Sequence, residues 1–145
     1  MTKDTHTFDR ENSLGWLTAV LHQRMAAELD KRLAEQGLSI GLWPTLMCLW
    51  EEDNVTQVEI ARKVLVQNST TTRVIDKLET LGLVTRQPDQ NSRRSYRIQL
   101  TEKGHRLKDT VLPMPAIVNQ QTLTPLSDEQ QQQLVQLLRK LVLDV

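Results

Sequence analysis

Between residues 68 and 81 the chain reads NSTTTRVIDKLETL, which at helical spacing separates into two faces of different chemistry. Val74, Ile75, Leu78 and Leu81 share one side, while Asn68, Ser69, Thr70, Thr72, Arg73 and Lys77 stand on the other. Short hydroxyls and amides can read base edges, arginine can reach a guanine in bidentate fashion, and cations can hold phosphate, so this face has the chemistry to read the major groove of double-stranded DNA. The helix N-terminus adds unpaired amides and a positive dipole end, both favourable toward phosphate. A second basic cluster follows, with Arg86 in one strand-like run (residues 83–87, LVTRQ) and Arg97 in another (residues 96–100, YRIQL). Between the runs lies PDQNSRRS, which brings Arg93 and Arg94 to the tip of a hairpin. An arginine there is placed to enter a narrow, negative minor groove. A basic loop alone is most often a solvated loop, and Ser and Thr opening a helix most often only cap it; the conjunction carries the reading.

The surrounding elements must hold these groups in place. Leu14, Leu17, Leu21, Met25, Leu29 and Leu33 recur at three- and four-residue spacing and predict an amphipathic helix over residues 12–36 that ends at Gly37. Ser39 is placed to cap a second helix over 39–52, apolar almost all round and therefore central, with Pro44 near its start. Thr56 and Glu59 form a capping box, with Val55 and Ile60 at the staple positions, so a short helix starts there and runs to about Lys63. A tight turn from Val64 to Gln67 leads into the helix of residues 68–81, which Gly82 stops; two such helices predict a helix-turn-helix. After the hairpin, Thr101 caps a helix over about 102–120 that Pro113 and Pro115 should kink or split. Ser127 to Gln130 is another capping box, opening a last helix with Leu134, Leu137, Leu138, Leu141 and Val142 on one face.

The expected fold is mainly α with a small β-hairpin wing. A winged helix-turn-helix lobe over 39–100 is carried, within a single chain of 145 residues, on a dimerisation platform made of 12–36 and 102–145. The terminal helices own apolar stripes that neither can bury alone, so they pack on each other and across a homodimer.

Composition narrows the function. The chain is long enough to bury a core without disulfides, and its one cysteine, Cys48, cannot form an internal one. His6, His22 and His105 lack metal-site spacing, so neither metal nor cofactor is expected. The polar N-terminus MTKDTHTFDRENS lacks the apolar core of a signal peptide, and no stretch approaches the roughly 18 apolar residues of a membrane helix, which points to a cytoplasmic protein. No nucleophile motif, Gly-rich phosphate loop or pair of carboxylates in a cleft-forming pattern is present, so the chain does not read as an enzyme. Net charge is zero, but residues 54–108 hold eleven Lys and Arg against five Asp and Glu, a surplus of six positive charges that the flanks cancel. The competing reading is a winged-helix module that binds protein, which would show an apolar or acidic face over 68–77; this face is polar and basic.

Residues 56–104 resemble the MarR/SlyA family. The resemblance rests on Ile60-Ala61, Thr72-Arg73-Val74, Asp76-Lys77-Leu78-Glu79, Gly82-Leu83-Val84, Pro88-Asp89, Arg94 and Leu100-Thr101-Glu102-Lys103-Gly104, with Leu38, Ser39 and Trp43 upstream. It implies a homodimeric repressor or activator on pseudo-palindromic DNA, often released by small phenolic or lipophilic compounds or by thiol oxidation. Family members commonly hold effectors in a cleft between the dimer helices and the DNA-binding lobe, lined here by the first, second and fifth helices, and Trp16, His22 and Trp43 are the residues that such a cleft would use, although core packing is the commoner role for tryptophan. Two departures stand out: Ser92 replaces the acid often found two residues before the wing arginine, leaving a looser tip or one held by Asp89, and Leu65 stands where such turns often carry Gly. Cys48 lies in the most apolar helix, where burial raises a thiol's pKa and makes it inert.

Overall fold

The computed structural model describes residues 9–64 and 68–144. Among them the helices are α1 (Leu14–Ala34), α2 (Trp43–Glu51), α3 (Gln57–Val64), α4 (Asn68–Thr80), α5 (Glu102–Val111), α6 (Pro113–Leu123) and α7 (Asp128–Leu143), and the strands are β1 (Val55–Thr56), β2 (Val84–Asp89) and β3 (Ser92–Leu100). The chain divides into two compact units, a helical one of residues up to Glu28 together with Pro115 onward, and a winged one of Leu29–Met114.

Local signals set most boundaries. Gly37 and Gly82 both adopt left-handed backbone, at φ of 72° and 74°, ending α1 and α4 where a side chain would be strained. The capping box before α3 is formed: the Glu59 amide donates to Thr56 Oγ1 at 3.2 Å and the Thr56 amide donates to Glu59 Oε2 at 2.9 Å. The box before α7 is formed by Ser127 and Gln130. Ser39 makes no side-chain cap bond; a 3-10 turn at Ile40–Leu42 precedes α2, and the Ile40 amide donates instead to Asp30 Oδ1 at 2.8 Å. Pro44 stands in the first turn of α2, where its missing amide proton costs nothing. The predicted long fifth helix is split, with α5 ending at Val111 and α6 opening on Pro113.

The winged unit is built on one core. Leu33, Leu46, Leu49, Ile60, Ile75, Leu78 and Ile98 are all within 1% of complete burial, so residues from α1, α2, α3, α4 and the sheet close on one another. The sheet is antiparallel in the order β1-β3-β2, with Val55 opposite Ile98 and Val84 opposite Leu100. The strand β1 was not expected; two residues carry no periodicity, and Val55 and Thr56 read fully as a helix cap. On the surface, Lys63 Nζ donates to Glu52 Oε2 at 2.7 Å, which lowers the Glu52 carboxyl and raises the Lys63 ammonium from their ordinary ranges.

The helical unit consists of the start of α1 with α6 and α7. Val118 is its one buried apolar residue among those described, whereas Leu14, Leu17 and Leu21 on α1 and Leu137, Leu141 and Val142 on α7 are exposed.

Candidate nucleic-acid interface

Helix α4 turns Thr71, Ile75 and Leu78 inward, with exposures of 1%, 0% and 0%, and Val74 and Leu81 pack against the same core. The opposite side follows from this: Ser69, Thr70, Arg73 and Lys77 are exposed. Thr72 is half-buried, its hydroxyl accepting a hydrogen bond from Gln57 Nε2 on α3. The Asn68 side chain and the turn containing Leu65 lie outside the described residues.

The hairpin differs from a simple basic tip. Its loop is Gln90–Asn91, and Asp89 pairs with Ser92, but the next pair is Pro88 with Tyr96. Residues 93–95 therefore have no partner across the ladder and stand out as a bulge, a device that re-aims side chains. Arg93 and Arg94 are on that bulge, exposed.

Two other arginines are engaged inside the chain. Arg86, 18% exposed, pairs with Asp76 Oδ1 at 2.6 Å and Glu79 Oε1 at 3.1 Å, and donates to the Thr72 carbonyl at 3.3 Å. It braces β2 against the back of α4. Arg97 donates through Nε to Asp89 Oδ1 at 3.4 Å and through Nη1 to the Asn54 carbonyl at 2.7 Å. The expected alternative anchor, Asp89, is thus in use, but it holds Arg97 and not Arg94. By contrast Arg73, Lys77, Arg93 and Arg94 make no ion pair among the described residues.

Neither engagement can be read from the sequence. Their partners, Asn54 above all, are remote in the chain, and the one local hint was the Asp76, Glu79 spacing that sets two carboxylates on one side of α4.

The residues singled out for an effector fall on both units. Trp16 and His22 belong to the helical unit and Trp43 to the winged one. On α1 the first two are six residues apart, about 120° around the helix from each other. The Arg10 guanidinium lies 5.2 Å from the Trp16 ring centroid. Trp43 packs edge-on against Trp50 at 5.9 Å, and Trp50 Nε1 donates to the Gly104 carbonyl at 3.0 Å, so both serve the core. The helical unit holds an apolar hollow of about 200 Å³ lined by Leu21, Met25, Thr122, Leu134 and Leu138, among others. Cys48 is buried, and desolvation pushes its thiol up from the ordinary range. Among the described residues no cluster of metal-ligating side chains exists, and no helix is long and apolar enough to cross a membrane.

This geometry has relatives. Residues 38–96 match the MarR family. The transcriptional repressor MprA of Escherichia coli K12 is 31% identical over 124 residues, covering 84% of this chain and 70% of that protein. A MarR transcriptional regulator from Methanosarcina mazei Go1 superposes with a TM-score of 0.81 at 29% identity, over 88% of this chain and 92% of the other. A probable transcriptional regulator from Pseudomonas aeruginosa does so at 0.81 and 26%, over 92% and 100%. A helix pair with an exposed polar and basic second helix, followed by an arginine-bearing hairpin, has the chemistry that DNA reading requires, and with these relatives the chain belongs to the MarR family of DNA-binding transcription regulators.

Proposed function

We propose that two copies of this chain form a cytoplasmic repressor on a pseudo-palindromic site, each laying α4 in a major groove and its arginine bulge toward the adjacent minor groove. The observation that carries this reading is the division among the cations. Arg73, Lys77, Arg93 and Arg94 are exposed and free of ion pairs among the described residues, whereas Arg86 and Arg97 are held by carboxylates. Free cations on α4 and on the bulge are available for base edges and phosphate; the engaged ones shape the surface that presents them. The function is binding, with no reaction catalysed.

Pairing of two copies is supported by the bare leucines of α1 and α7, and repression by the likeness to MprA. A small phenolic or lipophilic effector, as the family implies, fits the apolar lining of the hollow beside Leu21 and Leu134. Fluorescence anisotropy with the duplex upstream of its own gene, with and without salicylate, tests the reading. Binding at least about a thousandfold tighter than to a scrambled duplex is expected, weakened by the compound. Equal affinity for the two duplexes would refute sequence-specific reading.

A further inference from the structure

The arginine bulge has a polar fastening at its base. Asp89 immediately precedes the two-residue loop, and its side chain is only 8% exposed. Its Oδ1 accepts from the Asn91 amide at 3.3 Å, which holds the loop, and from Arg97 Nε at 3.4 Å, which holds the strand just beyond the bulge. Arg97 then passes the connection on, donating to the Asn54 carbonyl at 2.7 Å across 43 positions of sequence. Asn54 is itself immobilised. It has a φ of 58°, unusual without glycine, and its Oδ1 accepts from Gln99 Nε2 at 3.1 Å, while its amide donates to Asp53 Oδ1 at 2.8 Å. Asp53 Oδ1 also accepts from the Leu100 amide at 2.9 Å. A continuous polar chain therefore runs from the hairpin loop to the corner that leads into β1 and α3.

We propose that Asp89, Arg97 and the backbone of Asn54 form a tie that fixes the pose of the hairpin, so that Asp89 is a positioning residue for Arg93 and Arg94 on DNA. The inference rests on the reading that the bulge touches DNA. It follows from an electrostatic oddity: an acid beside a DNA-facing arginine pair repels phosphate, so its presence costs affinity unless it acts through geometry. Ser92 makes such a device necessary, because its hydroxyl does no more than accept from the Arg94 amide at 3.3 Å and leaves the guanidinium unanchored. The tie anchors the bulge from below instead, through the backbone on either side of it.

The sign of one substitution decides the matter. By charge alone, Asp89→Ala tightens binding. As a positioning residue it weakens binding to cognate and scrambled duplexes by about fivefold, the scale of one coupled contact. Arg97→Ala is expected to produce a similar loss, and the double variant no more than either single one. Asp89→Asn keeps an acceptor oxygen and restores most of the affinity. In the free protein, the Arg97 Nε–H resonance should be protected from exchange in the parent and in Asp89→Asn, and lost in Asp89→Ala, with the thermal transition confirming that each variant is folded. Tighter binding by folded Asp89→Ala, or additive losses from Asp89→Ala and Arg97→Ala, overturns the tie. Failure of the underlying reading looks different: Arg93→Ala with Arg94→Ala would then leave affinity and its salt slope unchanged, although the protected Arg97 resonance persists.

Discussion

Removing Arg73 and removing Arg86 separate two tasks that a cation beside DNA can perform. Arg73 is exposed on α4 and unpaired among the described residues, so Arg73→Ala should cost about 1 to 3 kcal/mol of binding, relax specificity and leave the thermal transition where it was. Arg86 is drawn in against Asp76, Glu79 and the Thr72 carbonyl. Arg86→Ala should lower stability by about 1 to 2 kcal/mol, because it removes a largely buried side chain together with its hydrogen bond to the Thr72 carbonyl and leaves Asp76 and Glu79 without their shared cation. Calorimetry and anisotropy on the two variants read the contrast; equal thermal midpoints would sink the bracing role. Burial raises the Cys48 thiol above its ordinary range, so the folded chain stays protonated where the unfolded chain ionises. Below the ordinary thiol range this residue adds no pH dependence, and as pH rises through that range it lowers stability. Labelling by a disulfide reagent at pH 8 should accordingly be slow until denaturant is added, and labelling of native protein at the rate of a free thiol would contradict it.

Among the elements, α5 shows how closely the winged unit is assembled. Thr101 Oγ1 accepts from the Gly104 amide at 3.1 Å and so caps the helix, while Gly104 brings that first turn hard against the backbone of Leu83, just before β2. A Cβ at residue 104 would lie 2.2 Å from the Leu83 carbonyl oxygen. That is backbone and cannot swing aside, so Gly104→Ala should destabilise by about 1 to 3 kcal/mol, measured by urea unfolding. A midpoint equal to the parent's would show that α5 can shift freely. The same junction shows what is legible in a sequence. Leu-Thr-x-x-Gly, the Thr56 and Glu59 box, and the Gly37 and Gly82 stops are local chemistry, complete within a few residues, and they lie where expected. The exposed polar and basic face of α4 was legible for the same reason, since one period of 3.6 residues sorts Ile75 from Arg73. What was not legible was non-local. Residue type alone places Arg86 and Arg97 with Arg93 and Arg94; only the fold, by bringing Asp76, Glu79 and Asn54 to the first two, separates them. The bulge likewise depends on register between β2 and β3, which no run of turn-forming residues specifies.

For the whole molecule the decisive feature is apolar surface left bare. Leu137 and Leu141, one helical turn apart on α7, are 62% and 63% exposed, and Leu14 on α1 is 62% exposed. Exposed leucines repeated at helical spacing on a terminal helix mark an interface. Sedimentation of the parent at micromolar concentration should give about twice 16.7 kDa, and a variant carrying Leu137→Lys and Leu141→Lys should sediment as a single chain with weakened DNA binding. A parent that runs at the mass of one chain would end the dimer reading. The division of the chain also has a consequence in time. The winged unit is one unbroken stretch, Leu29–Met114, whereas the helical unit combines residues up to Glu28 with those from Pro115 onward. A ribosome releases the N-terminal part first. The leucines of residues 14–28 therefore emerge well before α6 and α7 exist to meet them, while the reading head closes on its own core as soon as residue 114 is free. Arrested chains that end at residue 114 and carry an unstructured linker long enough to bring that residue clear of the ribosome should resist protease over 29–114 and be cut within 14–28, and protection of the N-terminal stretch in those chains would argue against this order. Newly made copies thus acquire the means to touch DNA before the means to pair, and the grip of two half-sites at once is withheld until α6 and α7 have followed the winged unit out of the ribosome.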